Sequence, residues 1–318
     1  MINYIRHLPV GFFGSIIALA ALAIAWRIAH NLLGVPGWPG VYIGFLSVAS
    51  FLFISLTYIA KIFLYWENVK AEFFHPVTGS LFSAIPISWM LIAGILLNDM
   101  PSFAANLWHI GAIGMFLFMI IIIHRWTRNK GIIGFANPTW LLPATGLATI
   151  SFVGYSFPVR AMWLVSQLSF AGALLMSITL FAMVVSGLFF SKNQSGREEG
   201  SIFILIAPFA MCFLSYIRIK DSIDQFADTL YYSAFFLFIV FLPKLLFLYR
   251  SGPFRTSWWG TCFPISLLSI ASLRYVEDQN IVLRVPTGIA LAILGIATLS
   301  TVFVFFLCLL NLAKGKRL

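Results

Sequence analysis

Residues 258–273 read Trp-Trp-Gly-Thr-Cys-Phe-Pro-Ile-Ser-Leu-Leu-Ser-Ile-Ala-Ser-Leu, and the proline at position 264 of this apolar stretch has three counterparts earlier in the chain. Pro86, Pro143, Pro208 and Pro264 stand in alternate hydrophobic segments, at intervals of 57, 65 and 56 residues. That interval is about the length of a helical hairpin that crosses a bilayer twice. Each ring removes one backbone N–H and collides with the carbonyl four residues earlier, here those of Phe82, Thr139, Ile204 and Gly260. One proline in a membrane helix is ordinary. Four of them, each in the first helix of successive hairpins, predict bent helices whose freed backbone groups face a central path, because irregular backbone is tolerated at membrane depth only against protein or water.

The composition agrees with a membrane location. Hydrophobic residues make up 61% of the 318-residue chain and charged residues 9%, which excludes a soluble globular domain. A spanning helix needs roughly 20 mostly apolar residues. By that measure ten segments qualify, near 9–33, 40–66, 80–98, 102–124, 138–157, 160–190, 201–219, 229–249, 257–273 and 282–312. The expectation is an all-α integral membrane protein, residues 1–318 forming one transmembrane domain of five helical hairpins. The first segment is too long for a signal peptide and lacks a small-residue cleavage site, so it reads as a retained helix.

The net charge of +10 is unevenly placed. Threading ten helices with the amino terminus in the cytoplasm puts fourteen Lys and Arg at inner ends and six at outer ends. That follows the positive-inside rule, sets both termini in the cytoplasm and points to anionic lipid, not nucleic acid, as the partner of the positive charge. The three cysteines, Cys212, Cys262 and Cys308, lie in hydrophobic segments and read as buried free thiols.

The two sets of segments differ in texture. Odd segments carry small and hydroxylic residues at depth, such as Gly14, Ser15, Ser83, Ser88, Thr145, Thr149, Ser215, Gly260 and Ser266. Even segments are bulkier, as in Met115 to Ile123 and Phe235 to Phe241. An inner ring of five proline-kinked odd helices inside an outer ring of five even ones accounts for both, although small residues also serve close helix packing anywhere.

Catalytic and metal signatures are missing. No carboxylate lies near the middle of a segment, which argues against a proton-coupled carrier and for passive permeation. The histidines at 7, 30, 75, 109 and 124 fall near segment ends and never at metal-ligand spacing, so neither metal nor cofactor is expected. Asp221, Asp224 and Asp228 form a DxxDxxxD pattern like the Mg²⁺-diphosphate arrays of membrane prenyltransferases, but those enzymes pair two arrays and this chain has one. A solvated acidic loop is the expected reading, and no enzyme activity is. With so few charges inside the odd segments, any anion selectivity must come from dipoles, hydroxyls and the electropositive inner face.

Five pieces of the odd segments together resemble the TehA family of bacteria, relatives of the slow anion channels of plant guard cells. They are Gly11-Phe12-Phe13-Gly14, Glu72-Phe73-Phe74-His75-Pro76-Val77, Asn137-Pro138, Ala207-Pro208 and Trp258 to Pro264. The resemblance implies a homotrimer in the bacterial inner membrane, with a separate pore in each protomer that passes small inorganic anions such as chloride or nitrate. It implies that Phe263 plugs the pore as a gate, that Phe13 is a second pore aromatic, and that Gly14, Pro86, Pro143, Pro208, Gly260 and Pro264 line it. Older names in the family suggest an alternative, a secondary transporter of dicarboxylates or of oxyanions such as tellurite. No basic cluster sits at mid-membrane to offset the dehydration of two charges, so the channel is the favoured expectation.

Overall fold

A computed structural model describes residues 2–128, 136–190, 196–248, 254–278 and 284–313, and every regular element among them is helical. The even segments form long uninterrupted α-helices: α3 (Trp38–Leu64), α6 (Pro101–Arg128), α8 (Arg160–Phe190), α10 (Gln225–Leu248) and α12 (Arg284–Ala313). The odd segments are built differently. Each opens as a 3-10 turn and continues as an α-helix: Val10–Phe12 into α2 (Phe13–Leu33), Thr78–Ser83 into α5 (Ala84–Leu96), Pro138–Leu141 into α7 (Leu142–Gly154), Gly196–Ile206 into α9 (Ala207–Lys220), and Thr256–Trp258 into α11 (Trp259–Asp278). Short helices α1 (Ile2–His7) and α4 (Trp66–Phe74) precede segments one and three of the chain, the first two of these.

The repeated prolines sit at or near the change of pitch. Pro143 and Pro208 are the second residues of α7 and α9, and Pro86 is the third of α5. There the backbone ladder is passing from three-residue to four-residue bonds, so a missing donor interrupts nothing regular. Only Pro264 lies beyond the first turn of its α-helix. The sequence pattern thus marks, in three of the four cases, where one helix type gives way to another.

The inner helices close on themselves. α2 packs on α5, α5 on α7, α7 on α9, α9 on α11, and α11 back on α2, and the five 3-10 turns repeat the same circuit. Each long helix covers the outside of this ring between two inner helices: α3 on α2 and α5, α6 on α5 and α7, α8 on α7 and α9, α10 on α9 and α11, α12 on α11 and α2. Odd segments are therefore inner and even segments outer. Burial follows: every residue of α7 is buried, whereas α3 exposes Tyr42, Phe45, Phe53 and Phe63 on the face turned away from the ring.

Eight helical stretches among the described residues are long and apolar enough to cross a membrane. The fifth and ninth segments are not among them. The fifth has four residues of 3-10 turn and thirteen of α-helix, and the ninth carries Thr261, Ser266, Ser269, Ser272 and Arg274 along its length. Both are shielded from the outside by neighbouring helices, so neither needs the length or the apolarity that lipid contact imposes. Lys130, Lys192, Arg250, Lys314, Lys316 and Arg317, counted above on the inner side, lie outside the described residues. The three cysteines are buried and free.

Candidate functional site

Where the five opening turns meet, they enclose a cavity of about 280 Å³. Every inner segment contributes to its wall: Gly11 and Gly14 from the first, Thr78 and Leu81 from the third, Thr139 and Leu142 from the fifth, Ser201 and Ile204 from the seventh, Trp259, Gly260 and Phe263 from the ninth. None of the lining residues comes from the five outer helices. Since all five inner α-helices begin at this cavity, they run parallel and their N-terminal ends converge on it.

The residues singled out from sequence divide accordingly. Gly14, Gly260 and Phe263 line the cavity, Phe263 being only 1% exposed. A Cβ at Gly14 would stand 3.4 Å from the Cβ of Trp259, and one at Gly260 3.4 Å from the Ile204 side chain, so the glycines let segments one, seven and nine approach closely. Phe13, Pro86, Pro143, Pro208 and Pro264 are not among the lining residues. Phe13 instead meets the ring of Tyr58 on α3 edge to face, with centroids 5.6 Å apart. Of the four residues that stand four positions before the prolines, Thr139, Ile204 and Gly260 line the cavity and Phe82 does not, and the Thr139 carbonyl accepts from the Leu142 N–H.

Among the described residues the cavity wall carries no ionisable side chain. Its hydroxyls are also partly engaged: the Thr78 hydroxyl donates to the Glu72 carbonyl at 2.8 Å, and that of Thr139 bonds Asn137, Val77 and Ser80. Deeper hydroxyls turn back on their own helices, Ser15 to the Phe12 carbonyl, Ser88 to Ile85, Thr145 to Leu141, Thr149 to Thr145 and Ser266 to Cys262. They occupy carbonyl lone pairs that would otherwise repel an anion. The first N–H groups of α2, α5, α7 and α11 are bonded to carbonyls of the opening turns, so what remains to attract an anion is the aligned dipoles of the inner segments, whose positive ends lie on this side.

A polar belt ties the opening turns together. The Trp140 indole donates to the Pro76 carbonyl at 3.0 Å, and Thr139 joins Ser80 at 2.9 Å, linking the third and fifth segments. Arg125 of α6 forks across the carbonyls of Phe73, Phe74 and His75, which end α4. His75 Nδ1 accepts from the N–H groups of Val77 and Thr78, a capping role. Lys61 of α3 is 2% exposed, with Nζ 2.7 Å from the Leu8 carbonyl and 2.9 Å from Glu72 Oε2. Lys61 is one of the fourteen cations that the threading above puts at inner helix ends. The available signal was Tyr58 three residues before it, one turn away on the same helix face, with Glu72 on the next element.

At the opposite end the three aspartates stand at the junction of α9 and α10. Asp221 takes a left-handed conformation, φ 57°, just past the end of α9. Asp224 Oδ1 accepts from the N–H groups of Phe226 and Ala227 at the start of α10, and Oδ2 accepts from the Tyr216 hydroxyl at 2.6 Å. Those bonds, the Tyr216 hydroxyl first, hold the Asp224 carboxyl below its usual pKa. Asp228 accepts from the Tyr275 hydroxyl at 2.9 Å. The DxxDxxxD pattern is thus a helix junction, and among the described residues no His, Cys, Asp and Glu group could hold a metal.

A ring of parallel helices around a neutral cavity, jacketed by apolar helices, defines a helical membrane protein of the channel or carrier class. The family model of the voltage-dependent anion channels of the SLAC1 type matches residues 7–312, and the chain belongs to that family. It is 25% identical to the S-type anion channel SLAH3 of Arabidopsis thaliana over 86% of its own length and 44% of that protein. It is also 25% identical to the guard cell S-type anion channel SLAC1 of the same plant, over 86% of this chain and 50% of that one. A tellurite resistance protein TehA homolog of Haemophilus influenzae is 28% identical over 75% of this chain and 72% of its own. The chain spans about half the length of these two plant relatives.

Proposed function

We propose that the chain is a gated, passive channel for small inorganic anions such as chloride or nitrate, with its pore along the axis of the inner ring. The supporting observation is that, among the described residues, all five inner segments and no outer helix wall a cavity that Phe263 helps to line. In this reading ten helices cross the membrane as five hairpins, bent near Pro86, Pro143, Pro208 and Pro264. Both termini lie on the cytoplasmic side of a bacterial inner membrane, and the protein is a homotrimer with one pore per protomer.

The physics of selection follows from the cavity. Five converging helix N-termini favour an anion without binding it as a fixed arginine would, so it can leave as readily as it arrives. Phe263 blocks by filling the bore and by excluding the water an ion needs. Gly14 and Gly260 keep the wall thin beside it, and Phe13 supports the first inner helix from behind.

Anion current through the purified protein in planar bilayers tests this directly. Displacing the ring at a cost of even about 1.4 kcal/mol would hold the current down about tenfold. Phe263→Ala should therefore conduct about tenfold or more above wild type, and Phe263→Leu by less. Equal currents from folded, inserted Phe263→Ala and wild type would remove the gate, and no current from either would remove the pore.

A further inference from the structure

We infer that the buried Lys61 and its partner Glu72, with Tyr58, form a positioning strut: it fixes the first and third inner segments relative to each other behind Phe13 and so keeps the pore shut. The inference rests on the pore reading given above and adds residues that lie outside the cavity. Lys61 belongs to an outer helix, yet its ammonium reaches two inner segments at once, the Leu8 carbonyl just before the first opening turn and the Glu72 carboxylate just before the third. Tyr58, one turn back on α3, donates to the same carboxylate oxygen at 2.9 Å and is 2% exposed. Its ring stands edge-on to Phe13, and also to Phe82 at 6.2 Å.

These contacts make a short mechanical chain. Glu72 carries two donors from α3, and its own carbonyl accepts from Thr78, which lines the cavity. Phe13 is the first residue of α2, between the cavity residues Gly11 and Gly14. Moving α3 by a fraction of an ångström therefore shifts Phe13 and Thr78 together, on the adjoining first and third segments, whose Gly11, Gly14 and Thr78 line the cavity. Removing Glu72 would leave the buried Lys61 ammonium with the Leu8 carbonyl and no counter-charge among its hydrogen-bond partners. An ordinary snorkelling lysine would lie at the surface with its ammonium in water, and this one does not.

The experiment compares anion currents of the full chain, normalised to protein at the membrane surface, with and without Phe263→Ala. Loss of one buried charged hydrogen bond in a two-state balance predicts that Lys61→Met raises wild-type current about tenfold, with Tyr58→Phe giving a smaller rise. Lys61→Arg should return the current toward wild type. In the Phe263→Ala background Lys61→Met should change the current less than about twofold, because the gate it acts through is gone. A purely structural lysine would lower surface protein and leave the normalised current alone, and that result would overturn the strut. Should Lys61→Met not reach the surface, Tyr58→Phe decides by the same criterion. Wild-type current in Lys61→Met or Tyr58→Phe beside a conducting Phe263→Ala rejects the strut while the pore stands. Silence of every variant removes both.

Discussion

Helices α7 and α3 are neighbours in kind but opposite in construction. α7 has thirteen residues, all buried, with Pro143, Gly146 and Gly154 among them. α3 has twenty-seven residues, of which eight are buried, and it turns Phe45, Phe53 and Phe63 outward. Length and apolarity are demanded of α3 because lipid solvates one of its faces, whereas α7 meets only protein. An inner helix can therefore be short, proline-bearing and rich in hydroxyls. The same freedom lets it place small residues and backbone ends around a cavity. The contrast between the two rings is thus a division of labour between facing lipid and shaping a path.

Truncation probes that division most sharply. Ile150 on α7 is 0% exposed, and Leu52 on α3 is 54% exposed. Ile150→Ala should cost about 2–5 kcal/mol of stability, since it opens a void in a close-packed ring. Leu52→Ala should stay within about 0.5 kcal/mol, since lipid refills the space. Thermal midpoints of the purified variants in one detergent give the comparison, and similar losses at both positions would contradict the two-ring account.

Glycine gives a smaller and opposite-signed test. A Cβ at Gly79, in the third opening turn, would stand 2.5 Å from the Phe73 carbonyl and 2.9 Å from the Arg125 guanidinium. Gly79→Ala should therefore destabilise by about 1–3 kcal/mol through overpacking. Gly295 on α12 has nothing within 4 Å of such a Cβ. There Gly→Ala should stabilise by about 0.4–1 kcal/mol by restricting the unfolded chain. Loss of stability from Gly295→Ala would mean that α12 has a close neighbour, such as another copy of the chain, on its open side.

The inner ring was legible from the spacing of four prolines and from the texture of alternate segments. Its helix ends were not. Pro86, Pro143 and Pro208 read as mid-helix bends because sequence does not distinguish a 3-10 turn running into an α-helix from one continuous α-helix, and the two differ by one hydrogen-bond step. Gly14 and Gly260, singled out as small residues of odd segments, line the cavity, and so does Phe263, which only the resemblance had named. Phe13 was named by the same resemblance, and the fold turns it to Tyr58 instead. The burial of Lys61 was not legible for a different reason: it depends on a carboxylate eleven positions away that only tertiary packing brings to it.

Asp224 lies where the two rings join, between inner α9 and outer α10, and it offers the smallest test. Its carboxylate accepts from the Tyr216 hydroxyl and from two N–H groups at the start of α10, with Lys220 Nζ 3.6 Å away. All four favour the charged form, so its folded pKa lies below the unfolded one. A group so depressed contributes stability that is present above the unfolded pKa and is lost as pH falls through the folded pKa. Wild type should therefore lose a small part of its thermal stability on acidification below the ordinary carboxylate range, while Asp224→Asn should start slightly lower at neutral pH and lack that part of the acid slope. The site is solvent-accessible, so salt will screen the Lys220 share first and leave the tyrosine and backbone bonds. An unchanged acid slope in Asp224→Asn would mean that the junction is held by packing of Tyr216 on Phe170 and Phe226, and that the aspartate only starts the helix.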